Sequence, residues 1–204
     1  MNIFFDLDGT LWDSKDRLFT LFCDITKQNK ISIDEYWNQK RAKISNEQIL
    51  EGLGFNDNQI KKFVAEWMHK IEEDNYLRLD TLFPYTKIVL QTLKNRGCDI
   101  YYVTLRQSAE RVLNEIRDKG IADYCIRCLV SEARTTKEQL VNNAGIKLSS
   151  DDIFVGDTGI DVMTAKSLGI KSVAVLSGFR NKEILEGYAP DYIIGNISEL
   201  NKFI

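Results

Sequence analysis

The pattern of apolar positions changes period along the chain. Ile3-Phe4-Phe5 is a continuous apolar run that predicts a buried strand over residues 1–5, and it stops at Asp6. Beyond Asp13 the spacing becomes helical. Leu18, Leu21, Phe22 and Ile25 share one face, with Asp13 and Ser14 as N-cap candidates. Ser32 with Glu35, and Ser45 with Gln48, read as capping boxes. The second opens a short helix through Ile49, Leu50 and Leu53 that stops at Gly54. Asn56 or Asp57 caps a longer helix carrying Ile60, Phe63, Val64, Trp67, Met68 and Ile71. No strand is predicted between residue 14 and about residue 80.

After Pro84 helices and strands alternate. Ile88, Val89 and Leu93 predict a helix closed by Gly97, followed by a strand from Cys98 to Thr104. Ala109, Val112, Leu113 and Ile116 predict a helix closed by Gly120, then a strand from Cys125 to Val130 and a helix from Lys137 to Ala144. A strand at Asp152–Val155, a helix at Asp161–Leu168, a strand at Lys171–Leu176 and a short strand at Tyr192–Ile194 complete the series. Alternation of this kind implies parallel βαβ units. The expected fold is α/β, a Rossmann-like parallel sheet that includes the first strand, with an all-helical block inserted. The division places residues 1–13 and 82–204 in the core and residues 14–81 in the helical block, with joints near Leu11–Ser14 and Asp80–Pro84.

Composition fits this picture: 204 residues, 44% hydrophobic and 28% charged, are ordinary for a core of this size. A net charge of -3 gives no general attraction to nucleic acid or to an anionic membrane. No apolar stretch approaches the roughly 18 residues that span a bilayer. A strand at the very start leaves no room for a leader peptide, and the cysteine usage fits a reduced, cytoplasmic compartment best. Cys23, Cys98, Cys125 and Cys128 read as ordinary reduced thiols, because a single C-I-R-C pair in a strand places its two thiols on opposite sides.

In open parallel sheets ligands sit beyond the carboxyl ends of the strands. The first strand leads into Asp6-Leu7-Asp8-Gly9-Thr10, and two acids beside a buried strand are costly unless paired or bound to a cation. The second strand ends at Thr104, followed by Leu105 and Arg106. Lys137 follows the third strand, and the fourth runs into Gly156-Asp157-Thr158-Gly159-Ile160-Asp161. Carboxylates, a hydroxyl and an amine therefore gather on one sheet edge.

These four spaced motifs resemble those of the haloacid dehalogenase-like (HAD) superfamily. The run VGDTGIDVMTAKSLGIKSVAVLSGFRNKEIL and the later APDYIIGNISEL are similar to its phosphoglycolate phosphatase-like branch. The resemblance implies that Asp6 is a nucleophile forming an aspartyl phosphate, and that Asp8 is the general acid and then the base for water. It implies that Asp6, the Asp8 backbone carbonyl and Asp157 hold Mg²⁺, with Asp161 as a further ligand or a partner of one. Lys137, the Thr104 hydroxyl, and backbone N–H groups near Leu7, Asp8, Gly9 and Leu105 would bind the phosphate. Asp8 argues for phosphate chemistry, because a departing halide needs no proton. The helical block takes the position of the family's cap. Its tip at Lys40–Ser45 makes Arg41 and Lys43 candidates for an anionic substrate group, as is Arg106. Leu105 stands where many relatives carry a small or polar residue.

The implied function is a Mg²⁺-dependent phosphatase of a small phosphorylated metabolite, a monomer or homodimer with no nucleic-acid or membrane partner. The alternatives are a phosphomutase of the β-phosphoglucomutase type and a non-catalytic phosphate-binding regulator.

Overall fold

The computed structural model describes residues 1–28 and 30–202. The strands are β1 (Asn2–Phe5), β2 (Trp12–Asp13), β3 (Thr81–Leu82), β4 (Asp99–Thr104), β5 (Arg127–Val130), β6 (Ile153–Gly156), β7 (Lys171–Val175) and β8 (Tyr192–Ile194). The helices are α1 (Lys15–Thr26), α2 (Ile33–Arg41), α3 (Asn46–Gly52), α4 (Asp57–Lys70), α5 (Asp74–Leu77), α6 (Thr86–Asn95), α7 (Ala109–Asp118), α8 (Lys137–Asn143), α9 (Gly159–Leu168) and α10 (Lys182–Glu186).

Six strands form one sheet in the order β5-β4-β1-β6-β7-β8, with every pairing parallel. This is the expected α/β, Rossmann-like core. β1 is central because the chain builds outward from it on one side through β4 and β5, then on the other through β6. Both faces of β1 are buried, which explains its unbroken apolar run. Ile3 and Phe5 pack with Val89, Leu90, Val112 and Ile116 from α6 and α7. Phe4 points to the opposite face and packs with Val141 of α8 and Ala165 of α9. The central position of β1 places the residues after Phe5 between the ends of β4 and β6.

The helices α1–α4 close over their own apolar cluster of Leu18, Phe22, Tyr36, Ile49, Leu50, Ile60 and Phe63. Phe22 is fully buried, with its ring 5.0 Å from that of Tyr36 and 5.6 Å from that of Phe63. The Tyr36 hydroxyl donates to Asn46 Oδ1 at 3.1 Å, so its burial leaves no orphaned donor. Both expected capping boxes form, and Asn56 with Gln59 makes a third.

Three local features differ from the sequence reading. β2 and β3 pair antiparallel, Trp12 with Leu82 and Asp13 with Thr81, at the expected joints of the helical block. Two-residue strands are too short to show a period. β5 starts at Arg127, not Cys125, because residues 122–124 form a short 3-10 turn first. Ser14 is the N-cap residue of α1 but caps nothing with its side chain; its hydroxyl donates to Asp8 at 2.7 Å instead. No helix of the described residues is long and apolar enough to cross a membrane.

Phe22→Ala removes a ring at the centre of the helical cluster. Urea denaturation should show a loss of about 3–5 kcal/mol; a loss below about 1 kcal/mol would contradict this packing.

Candidate active site

Asp6 lies one residue past β1, and its N–H donates to the Val155 carbonyl at 2.9 Å. That bond extends the β1–β6 ladder and fixes where the carboxylate emerges. Lys137 is the first residue of α8, whose capping box joins Thr136 and Gln139. Its Nζ donates to Asp6 Oδ1 at 2.5 Å and to Asp161 Oδ1 at 2.6 Å. Asp161 is in the first turn of α9, and its Oδ2 accepts from the Thr158 N–H and hydroxyl at 3.0 and 2.7 Å. Asp157 Oδ2 accepts the Phe179 N–H, while its Oδ1 is buried with no partner among the described residues. Carboxylate oxygens of Asp6, Asp157 and Asp161 lie within 4.8 Å of one another.

One ammonium thus faces three buried carboxylates. Burial pushes Asp6 up to about 7, offset only in part by Lys137. Burial, with Asp6 and Asp161 nearby, also holds Asp157 well above the usual carboxylate range. For Lys137 burial pulls downward, but Asp161 and Asp6 outweigh it and keep the ammonium charged. A negative excess, an unpartnered buried oxygen and an all-oxygen donor set fit a hard divalent cation such as Mg²⁺.

The backbone around the cluster has no room for side chains. Gly9 has φ +80°, and a Cβ there would collide with the Asp157 carboxylate and the Gly178 backbone. A Cβ on Gly178 would meet the same carboxylate. Gly9 is therefore required by close approach. The sequence reading gave its N–H a phosphate-binding role, but that N–H donates to the Trp12 carbonyl at 2.8 Å. The side chain of Leu7 is buried in the main core.

Asp8 belongs to a different network. Its side chain lies outside the three-carboxylate cluster, so of the metal ligands expected from sequence Asp8 would offer only its backbone carbonyl. Arg106 grips the carboxylate with two bonds, Nε to Oδ2 and Nη2 to Oδ1, each 2.6 Å. Arg17, Ser14 and the Trp12 indole N–H also donate to Oδ1. Burial pushes Asp8 upward, but Arg106 and Arg17 outweigh it and hold the carboxyl well below its usual range. Both arginines also bind the buried Asp80, at 2.9 Å each. The sequence reading missed Arg17 and Asp80. The available signal was Arg17 itself, a charged residue on the α1 face shared with Ser14 and Leu21.

Thr104 ends β4 and is buried, and its Oγ1 lies 3.4 Å from the Arg106 N–H. Thr104, exposed Leu105 and Arg106 line a cleft of about 370 Å³ with Asp6, Asp8, Lys137 and Asp157. The helical block contributes Trp67, Met68, Ile71 and Glu72 to this cleft, from the end of α4 and just beyond.

The expected cap-tip residues lie elsewhere. Arg41 Nη1 donates to the Leu176 and Gly178 carbonyls at 2.9 Å each, and Lys43 Nζ donates to the Tyr188 hydroxyl at 2.8 Å. Both tie α2 and the residues after it to the core, because the α2 end packs on the loop after β7, not over Asp6. Lys43 holds φ +66°, a left-handed conformation that favours glycine.

Stability should depend on pH with a definite sign. Asp6 and Asp157 keep protons in the folded chain that the unfolded chain releases near pH 4. The contribution of Asp6 therefore falls as pH rises from about 4 to about 7, and that of Asp157 falls in the same direction. Asp8, with its lowered value, acts oppositely and only at lower pH. Buried Asp80, pushed up to about 7, adds to the fall but lies outside the cluster. In thermal melts, Mg²⁺ should raise Tm more at about pH 8 than at about pH 5, where it competes with protons. An equal gain at both, or none, would contradict the cluster as a cation site.

The family model described as haloacid dehalogenase-like hydrolase matches residues 3–175. The phosphoglycolate phosphatase of Vibrio vulnificus is 23% identical over 214 residues, covering 97% of this chain and 93% of that protein. The pyrophosphatase PpaX of Oceanobacillus iheyensis is 26% identical over 216 residues, covering 97% and 94%. Among solved structures, a haloacid dehalogenase-like family hydrolase from Streptococcus pneumoniae superposes with a TM-score of 0.80 at 22% identity, covering 99% of this chain and 97% of that one. A sheet built outward from β1, acids clustered at its edge and a family match across both together show that the chain belongs to the haloacid dehalogenase-like hydrolases.

Proposed function

We propose that the chain is a Mg²⁺-dependent phosphatase that hydrolyses a small phosphomonoester through a phosphoryl group carried on Asp6. The observation that carries this reading is the convergence of Asp6, Asp157 and Asp161 around Lys137, at the edge of β1 and beside Asp8 and Thr104. The family and its relatives named phosphoglycolate phosphatase and pyrophosphatase support the reaction class.

Asp6 and Asp157, with the Asp8 backbone carbonyl, would hold the cation, and Asp161 would be a further ligand or brace Lys137. Bound Mg²⁺ supplies positive charge that lets a carboxylate approach a phosphate dianion. An Asp6 oxygen attacks phosphorus as the bond to the ester oxygen breaks, leaving an aspartyl phosphate and an alkoxide. Lys137 offsets charge on the transferred group, and the Thr104 hydroxyl donates to one of its oxygens. Asp8 gives the alkoxide its proton, then takes one from the water that attacks the aspartyl phosphate. The second half releases inorganic phosphate and restores Asp6.

The ionised state of Asp8 matches the second half, in which it takes a proton, and that step needs Arg106 or Arg17 to yield its bond. Proton donation in the first half likewise requires one arginine to let go. The segment bearing Arg17 belongs to the helical block, so movement of that block is the natural means.

Asp6→Asn keeps the shape and removes the nucleophile. Hydrolysis of p-nitrophenyl phosphate with Mg²⁺ should fall by at least about a thousand-fold, with an unchanged circular dichroism spectrum. Activity within about tenfold of the parent, in a folded variant, would overturn the assignment of Asp6.

A further inference from the structure

The cleft at Asp6 has two unlike sides. The polar groups that meet a phosphate lie at the sheet edge. The other side carries six large apolar side chains, Trp67, Met68 and Ile71 from the helical block and Leu105, Ile160 and Phe179 from the core, with Glu72 and Gln107 among them; the Gln107 amide is already bonded to the Met68 carbonyl at 3.2 Å. Met68, Leu105 and Ile160 are 51%, 40% and 53% exposed, unusual for large apolar side chains grouped around one opening. On the phosphatase reading above, this second side receives the alcohol portion of the ester.

The charges lining the cleft decide what kind of alcohol fits. Three cations line it, and each is already engaged. Arg17 donates to Asp8, Asp80 and the Ile71 carbonyl. Arg106 donates twice to Asp8 and once to Asp80, and its Nη1 lies 3.6 Å from Glu115. Lys137 lies between Asp6 and Asp161. The charged group placed among the apolar lining is an acid, Glu72, 5% exposed, which accepts the Gln107 and Ser108 N–H groups at 2.6 and 3.0 Å. Arg41 and Lys43, expected from sequence to read an anionic group, bond to the core away from the cleft. A second anionic group on the substrate would therefore meet an apolar wall and a carboxylate; even an arginine that lets go of Asp8 still holds Asp80. Placing an unpaired charge on an apolar wall beside a like charge is unfavourable, whereas an alkyl group there gains from contact.

We propose that the substrate class is a phosphomonoester of an apolar alcohol, with no carboxylate or second phosphate on the leaving group. This rests on the phosphatase reading and narrows it. It separates the chain from the compounds after which its relatives are named, because phosphoglycolate carries a carboxylate and pyrophosphate a second phosphate. Each methylene buried on such a wall strengthens binding about fourfold, so a short alkyl chain is enough for a clear preference.

The test compares hexyl phosphate with phosphoglycolate on the full chain with Mg²⁺. Both leaving groups are primary alcohols, so their intrinsic reactivity is similar. The kcat/KM for hexyl phosphate should be higher by at least about tenfold. A preference for phosphoglycolate, or equal rates, would overturn the proposal. Met68→Lys places a cation on the apolar side at an exposed position; it should lower the hexyl-to-glycolate ratio by at least about tenfold, and an unchanged ratio would overturn the assignment of that wall. Calorimetry with hexylphosphonate and phosphonoacetate separates binding from turnover. Tighter binding of hexylphosphonate without hydrolysis of either ester supports the apolar subsite and sinks the phosphatase reading. Hydrolysis with tighter binding of phosphonoacetate does the reverse.

Discussion

The Lys137 ammonium, held between Asp6 and Asp161, is the contact on which the site depends. It joins the end of β1 to α8 and α9, across a sequence separation of 131 residues between Asp6 and Lys137. Three buried carboxylates cannot share one ammonium without a further positive charge or protons. The raised values of Asp6 and Asp157 and the unpartnered Asp157 Oδ1 are two expressions of that imbalance. Gly9 and Gly178 follow from the same constraint, since the Asp157 carboxylate fills the space that a side chain at either would need.

A second charged network couples the helical block to the sheet. Arg17 on α1, Asp80 at the return joint and Arg106 after β4 meet at Asp8. Removing one partner from a buried set of this kind costs about 3–5 kcal/mol, so the block cannot shift there without disturbing Asp8. A separate latch lies at the other end of the block. Arg41 and Arg180 exchange bonds between the end of α2 and the loop after β7, and Trp37 packs on Phe179 with ring centroids 5.3 Å apart. Phe179 also gives its N–H to Asp157. One latch thus reaches the carboxylate cluster and the other reaches the proposed proton carrier.

The sheet was legible in the sequence because strands buried on both faces leave continuous apolar runs, as Ile3–Phe5 does. The helical block was legible through its caps. The β2–β3 ribbon was not, since Trp12–Asp13 and Thr81–Leu82 are too short to carry a period. Asp6, Asp8, Thr104, Lys137, Asp157 and Asp161 could be named from where strands end. Their division into two networks could not, because Asp6 and Asp8 differ only in which cations the folded chain brings to them. Arg17 escaped notice because an arginine on a helix ordinarily reads as solvated. Arg41 and Lys43 were assigned to the cleft by position along the chain; the packing of α2 against the loop after β7 sends them elsewhere, and the end of α4 supplies the cleft's wall.

In the proposed reaction Asp6 and Asp8 have separate tasks, and the position of the transferred phosphoryl group tests that division most directly. The Mg²⁺-loaded chain would be mixed with a phosphomonoester bearing labelled phosphate, quenched in acid during turnover, digested and mapped by mass spectrometry. The account predicts label on Asp6. Label on Asp8, or steady phosphate release with no labelled carboxylate at any quench time, would contradict it.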